Sequence, residues 1–224
     1  MSARVLLSWS SGKDSAWALQ RLRQQPDIEI VGLLTTFNEE AERVAMHAVR
    51  QVLVAAQAAV SDVPLWPVNL PFPCTNGQYA GIMRKVIARA AAAGITHMAF
   101  GDLFLDDIRA YRETMLAGSG IAPLFPLWGS AADTPALARE MLAGGLRAVL
   151  TCVDPKQLPA TFCGRHYDAA LLTELPATVD PCGENGEFHT FCWAGSMFSH
   201  DIPVTVGERV NRDGFCFCDL LPAA

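Results

Sequence analysis

Strand-like and helix-like segments alternate over the first 153 residues, and this alternation limits the possible folds more than any other feature of the sequence. Short apolar runs predict strands at residues 4–8, 28–37, 65–70, 96–102, 122–126 and 147–153. Helical patterns lie between them at 16–25, 76–93, 106–117 and 134–143, and a glycine follows each of the last three. Such alternation is typical of a parallel sheet with crossover helices. We therefore expect an α/β domain over residues 1–154.

The clearest helical pattern lies between the second and third predicted strands. Its polar positions include Arg50, Gln51 and Gln57, which we expect on the outer face of the helix. Its apolar residues recur at three- and four-residue spacing: Ala45, Ala48, Val49, Val52, Leu53, Ala56 and Val60.

The pattern changes after Pro155, where proline and glycine separate shorter elements. Residues 187–194, 202–210 and 214–220 resemble an antiparallel meander, with a turn at 211–214. We expect a small C-terminal α+β lobe over residues 155–224.

Composition excludes several classes of protein. The chain has 224 residues, 51% hydrophobic and 18% charged, with a formal net charge of −6, so a broad nucleic-acid surface is not expected. The N-terminal apolar run is too short for a signal peptide or a membrane span, which favours a cytoplasmic protein. Seven scattered cysteines without a CxxC pair indicate neither a disulfide framework nor a zinc ribbon, and we interpret most of them as core residues. A homodimer is left open.

The stretch SWSSGKDS, residues 8–15, follows the first predicted strand and opens a helix. Leu7 stands where a Walker A loop needs its first glycine, and one glycine is too few for a dinucleotide fingerprint. Free N–H groups at the helix start nevertheless predict an anion site, to which Lys13 adds a positive charge. Asp14 would hold Mg²⁺ beside a phosphate, or else Ser11 or Asp14 simply caps the helix. The hydroxyl groups that would add donors belong to Ser8, Ser10, Ser11 and Ser15.

Two later segments carry further polar residues. Asp102, after Gly101, ends a predicted strand at the edge where open α/β sheets bind ligands. Asp106 and Asp107 either join it or cap a helix whose Arg109 and Arg112 face solvent. In residues 182–190, glycines bracket Glu184 and Glu187, and strand alternation would place Glu187 and His189 on one face. The structural alternative is a glycine-rich turn with exposed glutamates.

These motifs together resemble a known family. SWSSGKDSAWAL is similar to the PP-loop of ATP pyrophosphatases, which cleave ATP to AMP and pyrophosphate while adenylating an oxygen. The sequences GDLFLDDIRAYRE (101–113) and CGENGEFHT (182–190) resemble two signatures of the diphthine–ammonia ligase (diphthamide synthase) family, and GFCFCDLLP (214–222) is similar to the end of its short members. Ser11 replaces the family's usual first glycine, so a positive φ there would strain the backbone.

The resemblance implies a Rossmann-like, adenine nucleotide alpha hydrolase-like sheet that binds ATP and Mg²⁺. The enzyme would adenylate a carboxylate and transfer ammonia to it, with Lys13, Asp14, Glu184, Glu187 and His189 in catalysis. Mg²⁺ would lie on Asp14 and Asp102. ATP would contact Ser8, Ser10, Ser11, Gly12, Lys13, Asp14, Ser15, His47, Gly101 and Asp102.

The acceptor implied by the resemblance is diphthine on elongation factor 2 if the organism makes diphthamide, and otherwise a small-molecule carboxylate. Two alternatives share the predicted fold. A module that senses ATP or AMP without turnover gives no reason for the 184–189 segment, and a sulfur-transfer enzyme for tRNA usually needs a basic surface and cysteine pairs.

Overall fold

The computed structural model describes residues 2–40, 43–44 and 47–223. Its strands are β1 (Ala3–Ser8), β2 (Ile28–Asn38), β3 (Arg43–Val44), β4 (Leu65–Leu70), β5 (His97–Ala99), β6 (Ala122–Leu124), β7 (Arg147–Val153), β8 (His166–Tyr167), β9 (Phe188–Ala194), β10 (Val204–Arg212) and β11 (Phe215–Pro222). Its α-helices are α1 (Lys13–Arg23), α2 (Gln51–Ser61), α3 (Asn76–Ala92), α4 (Asp106–Leu116), α5 (Thr134–Ala143) and α6 (Ala169–Glu174).

The first sheet confirms the predicted α/β class. Strands β4, β2, β1, β5 and β6 run parallel in that order, and β3 adds an antiparallel pair at the end of β2. Strands β2 and β5 flank β1 on opposite sides, so the order of the strands reverses at β1. A ligand crevice is expected at such a reversal of strand order, outside the carboxyl ends of the strands.

Strand β7 is the main correction, because it belongs to the second sheet and not to the parallel one. It is buried almost throughout and pairs antiparallel with β9 along one edge, and with β8 and β11 along the other. A continuous apolar strand has the same sequence pattern at the centre of a parallel or an antiparallel sheet. The pattern of β7 therefore does not indicate which sheet it joins. The predicted boundary at residues 154/155 stays a prediction, and the pairing of β7 favours an earlier one.

The predicted meander is partly wrong. The β10–β11 hairpin forms, with positive φ at Asp213 (52°) and Gly214 (85°) in its turn. Strand β9, however, pairs with β7 and not with β10.

Helix α2 is shorter than its sequence pattern. The pattern began at Ala45, which lies outside the described residues, and Ala48 has a φ of 55°, which breaks a helix, so α2 begins only at Gln51. His47 therefore lies in a turn before the helix. Gln57, expected outside, is fully buried.

The core has two parts, one on each face of the parallel sheet. Side chains of α1 and α2 join those of the second sheet in one continuous cluster, which includes Leu7, Leu53, Val149 and Phe191. A smaller cluster lies under α3 and includes Met98 and Phe100. All cysteines except the half-buried Cys74 are buried, as expected of core residues. Within the described ranges, no helix is both long and apolar enough to cross a membrane.

Candidate functional site

A cavity of about 860 Å³ opens at the carboxyl edge of the parallel sheet. Most of the residues predicted for the site line it, namely Ser8, Ser10, Lys13, Asp14, Ser15, His47, Gly101, Asp102, Glu184 and His189. Ser11, Gly12 and Glu187 lie outside this lining. The sequence motifs are thus brought together by the two sheets at one place.

The loop before α1 is held from beneath by the second sheet. Ser11 is fully buried with a φ of 70°, and its carbonyl accepts hydrogen bonds from Cys192 N and from Gln57 Nε2, both at 2.9 Å. The Ser11 hydroxyl is buried and has no partner among the described residues. The position therefore has the conformation that favours glycine, as the sequence comparison suggested.

Gly12 and Lys13 rest on β9. Lys13 N donates to Thr190 Oγ1 at 3.1 Å, and a Cβ at Gly12 would meet Thr190 O at 3.1 Å. Gly12 is the N-cap of α1 and makes no side-chain cap, so the alternative of capping by Ser11 or Asp14 is wrong. Thr190 takes the N–H of Lys13, and the other N–H groups of the first turn can bind an anion at the cavity.

The Lys13 ammonium is buried between the two lobes. It donates to both carboxylate oxygens of Asp14, at 2.9 and 2.8 Å, and to the carbonyl of Cys182. The rings of Tyr167 and Phe188 each lie 5.5 Å from Nζ. Burial favours a lower pKa for Lys13, but the Asp14 carboxylate outweighs it and the pKa is raised, so the side chain stays charged.

Gly101 lets the end of β5 approach α1. A Cβ at this position would lie 3.0 Å from Ser15 N and 3.1 Å from Asp14 C, and both are backbone atoms that cannot move independently. The glycine thus allows the close packing of this segment against the start of α1.

Three further titratable side chains line the cavity, namely His47, Glu184 and His189. The His47 and His189 rings lie 4.5 Å apart, and Glu184 Oε1 accepts from Leu103 N at 2.7 Å. Burial lowers the pKa of His189 to about 4, and burial together with His189 places that of His47 well below its usual range. Burial raises the pKa of Glu184 to about 7. At neutral pH both imidazoles are therefore uncharged, while Glu184 is poised to gain or lose a proton.

Glu187 lies apart from this group. Its carboxylate is 1% exposed, and Oε1 accepts from Asp180 N at 2.9 Å and from Asn185 Nδ2 at 3.1 Å. Strand β9 begins one residue later than predicted, at Phe188. The acid that shares the cavity with His189 is Glu184, and Glu187 braces the loop that presents it.

Asp102 and Arg112 form an ion pair in the cavity, with 3.2 Å between Oδ2 and Nε. Arg112 therefore does not face solvent, whereas Arg109 pairs with Glu113 at 2.9 Å. Asp106 and Asp107 occupy the exposed first turn of α4, whose N-cap is Leu105.

The predicted magnesium ligands have hard oxygen donors on the cavity wall, since Asp14 and Asp102 both line it. Within the described residues, no cluster of three or more histidine, cysteine or acidic side chains could hold a metal alone. Mg²⁺ commonly takes one or two carboxylates plus phosphate oxygens, so the two aspartates fit an ion that arrives with a nucleotide.

Sequence reasoning missed three residues of the site: Gln57, Thr190 and Arg112. A buried glutamine on a helix otherwise covered by alanine and valine has no distinguishing pattern. Thr190 is the last residue of the CGENGEFHT motif, and its position there does not indicate a contact with the start of α1. For Arg112 the signal was its spacing from Ile108 and Met115, which is that of one helix face.

Comparison with known proteins agrees with the resemblance stated from the sequence. A search of curated proteins found no match. Residues 133–221, which run from the start of α5 into β11, match the family model described as the diphthamide synthase C-terminal domain. The match supports a diphthine–ammonia ligase-like family, with which the PP-loop superfamily and the Rossmann-like parallel sheet are consistent. Residues 133–221 are therefore similar to the diphthamide synthase C-terminal domain.

Proposed function

We propose that the protein is an ATP-dependent ligase that adenylates a carboxylate, releases pyrophosphate and transfers ammonia to the acyl-adenylate. The observation that carries this proposal is the meeting of the 8–15 loop and the 184–190 segment at one cavity. The first offers a site for phosphate groups, and the second offers a carboxylate base and an uncharged imidazole in the same cavity. The family match supports the ligase class.

The ATP end of the reaction depends on the loop and the start of α1. Their backbone N–H groups and the hydroxyl groups of Ser8, Ser10 and Ser15 would bind the leaving pyrophosphate. The Lys13 ammonium stabilises negative charge nearby and holds Asp14 in place. Asp14 and Asp102 are the residues that would hold Mg²⁺, which supplies charge neutralisation of the phosphates.

The ammonia end of the reaction depends on Glu184. The acceptor carboxylate attacks the α-phosphorus of ATP and pyrophosphate leaves, which gives a mixed anhydride with AMP. Ammonia then attacks the acyl carbon, AMP leaves, and the nitrogen loses a proton. A carboxylate with a pKa of about 7 can accept that proton at neutral pH, whereas His189, at about 4, is a much weaker base. The two uncharged imidazoles would hold ammonia by hydrogen bonds.

Cys152 and Cys182 give the sulfur-transfer alternative no support. Burial raises the pKa of Cys152 and of Cys182 to about 12, so neither thiol ionises at neutral pH.

The test is product analysis of the purified protein with ATP, Mg²⁺ and ammonium, with and without a metabolite fraction. We expect AMP and pyrophosphate that increase with the fraction. ADP and phosphate would contradict the proposal, and so would ATP binding without turnover once a diverse set of carboxylates has been tried.

A second measurement separates the two half-reactions. Glu184→Gln should retain carboxylate-dependent exchange of pyrophosphate into ATP while it loses amide formation, because the base acts only after adenylation. Glu113→Gln, an exposed glutamate on α4, is the matched control and should retain both. Equal loss of both half-reactions in Glu184→Gln would contradict the role of Glu184 as the base of amide formation.

A further inference from the structure

Helix α4 presents a stripe of side chains to open space. Leu116 is the residue of this helix that is buried, whereas Ile108, Arg112 and Met115, spaced by four and three positions, are half-buried and line the cavity. A helix normally buries such a stripe in a core. Here the stripe covers a cavity wall that the 8–15 loop and the 184–190 segment do not form.

The rest of this wall is apolar. Met98 and Phe100 at the end of β5 contribute its floor, and Tyr79 of α3 closes it opposite α4. We call the group of Tyr79, Met98, Phe100, Ile108, Arg112 and Met115 the α4 arm. Thioethers and aliphatic carbons adapt to an apolar ligand and offer a cation no counter-charge.

Arg112 is the cation of the arm and is held rigidly. Its Nε donates to Asp102 Oδ2 at 3.2 Å, and its guanidinium lies 4.9 Å from the centre of the Phe100 ring. Within the described residues, its two terminal amino groups have no carboxylate partner. Its guanidinium also interacts with the Tyr79 hydroxyl, which is neutral. A guanidinium held through Nε, with only a neutral hydroxyl beside it, is suited to bind a carboxylate.

The charges of the cavity distinguish this position from the phosphate loop. Lys13 is already occupied by Asp14 and the Cys182 carbonyl, and it lies between aromatic rings. Asp102 is paired with Arg112 and, in the proposed function, would also hold Mg²⁺. A second cation placed in the arm would therefore meet a guanidinium and no unpaired acid of the arm.

We propose that the α4 arm binds the acceptor, and that the acceptor is an organic carboxylate with an apolar body and without a cationic group. Its carboxylate lies on Arg112 and its carbon chain lies against Met98, Ile108 and Met115. The inference rests on the proposed function only in naming the bound molecule as the acceptor.

Binding is tested without turnover, by ligand-observed NMR on the intact protein. The probes are butanoate, hexanoate and octanoate, with octanamide and 4-(trimethylammonio)butanoate as the uncharged and cationic comparisons. We expect the affinity to rise by up to about fourfold for each buried methylene. Octanamide should bind at least about tenfold more weakly than octanoate, since it lacks a charge-assisted hydrogen bond. The cationic analogue should bind more weakly than butanoate.

Arg112→Met should remove the preference for octanoate over octanamide, and Arg112→Lys should restore part of it. Arg109→Met, which removes a cation of the same helix that pairs with Glu113 and does not line the cavity, is the matched control and should leave all affinities unchanged. An unaltered far-UV circular dichroism spectrum and urea denaturation midpoint in each variant show that the fold is intact. An unchanged octanoate affinity in Arg112→Met overturns the inference, and so does a preference for the cationic analogue.

ATP and octanoate should bind together, and displacement of octanoate by ATP would show that the arm belongs to the nucleotide and would overturn the inference. Carboxylate binding that depends on Arg112, in a protein that never forms AMP and pyrophosphate, would contradict the proposed function and leave the arm in place. Formation of AMP and pyrophosphate without carboxylate binding that depends on Arg112 would support the proposed function and overturn the inference.

Discussion

The backbone at Ser11 has a φ of 70°, in the left-handed region where a residue with a Cβ is strained. Its buried hydroxyl adds an unmade hydrogen bond. We expect Ser11→Gly to raise the free energy of unfolding by about 1 kcal/mol, because relief of both costs exceeds the added chain entropy of glycine. Urea denaturation measures the change. Ser8→Gly, in the regular strand β1, is the control and should lower stability, and stabilisation of similar size in both variants would contradict the assignment to φ.

Glu184 makes stability depend on pH. Its pKa in the folded protein, about 7, lies above the ordinary value of 4.5, so the folded state binds the proton more tightly. Stability is therefore lost as pH rises from about 4.5 to about 7. Glu184→Gln carries no such charge. The free energy of unfolding of the variant minus that of the wild type should therefore be larger at pH 8 than at pH 4.5. Denaturation curves at the two pH values test this, and a difference that is the same at both would contradict the raised pKa.

At the scale of single elements, Gln57 ties α2 to both sheets. Its Oε1 accepts from Trp9 Nε1 at 2.8 Å, and its Nε2 donates to the carbonyls of Ser11 and Cys192 at 2.9 and 2.6 Å. We expect Gln57→Leu to destabilise the protein by about 2–4 kcal/mol, because several buried polar groups lose their partner. Gln51→Leu, at the exposed start of the same helix, should change stability by less than about 0.5 kcal/mol. Equal shifts of the denaturation midpoint in Gln57→Leu and Gln51→Leu would argue against the network.

Elements were predictable where local pattern decides them. The bounds of β4 and α5 agree with the sequence prediction, since turn residues or glycine mark their ends. The sheet to which β7 belongs was not predictable, because burial on both faces is common to both sheets. Alternation likewise placed Glu187 beside His189, but the hydrogen bonds that fix Glu187 come from Asp180 and Asn185, and a strand pattern contains no such information.

For the whole molecule, the continuous core cluster joins α1 and α2 to the second sheet. We therefore expect one cooperative unfolding transition in spite of two sheets. Far-UV circular dichroism and tryptophan fluorescence should give coincident denaturation curves, because the tryptophans lie in both lobes. Two separate transitions would show that the lobes fold independently.

The 8–15 loop rests on β9 and α2, and this support determines what a nucleotide would have to do to bind there. Because Thr190, Cys192 and Gln57 already fix Ser11 to Lys13, the conformational entropy of the loop is lost during folding and not on binding. If the loop binds phosphate as proposed, it acts as a rigid receptor that needs no closure. Its selectivity arises from a shape present before encounter, and the speed of association is left to diffusion and charge.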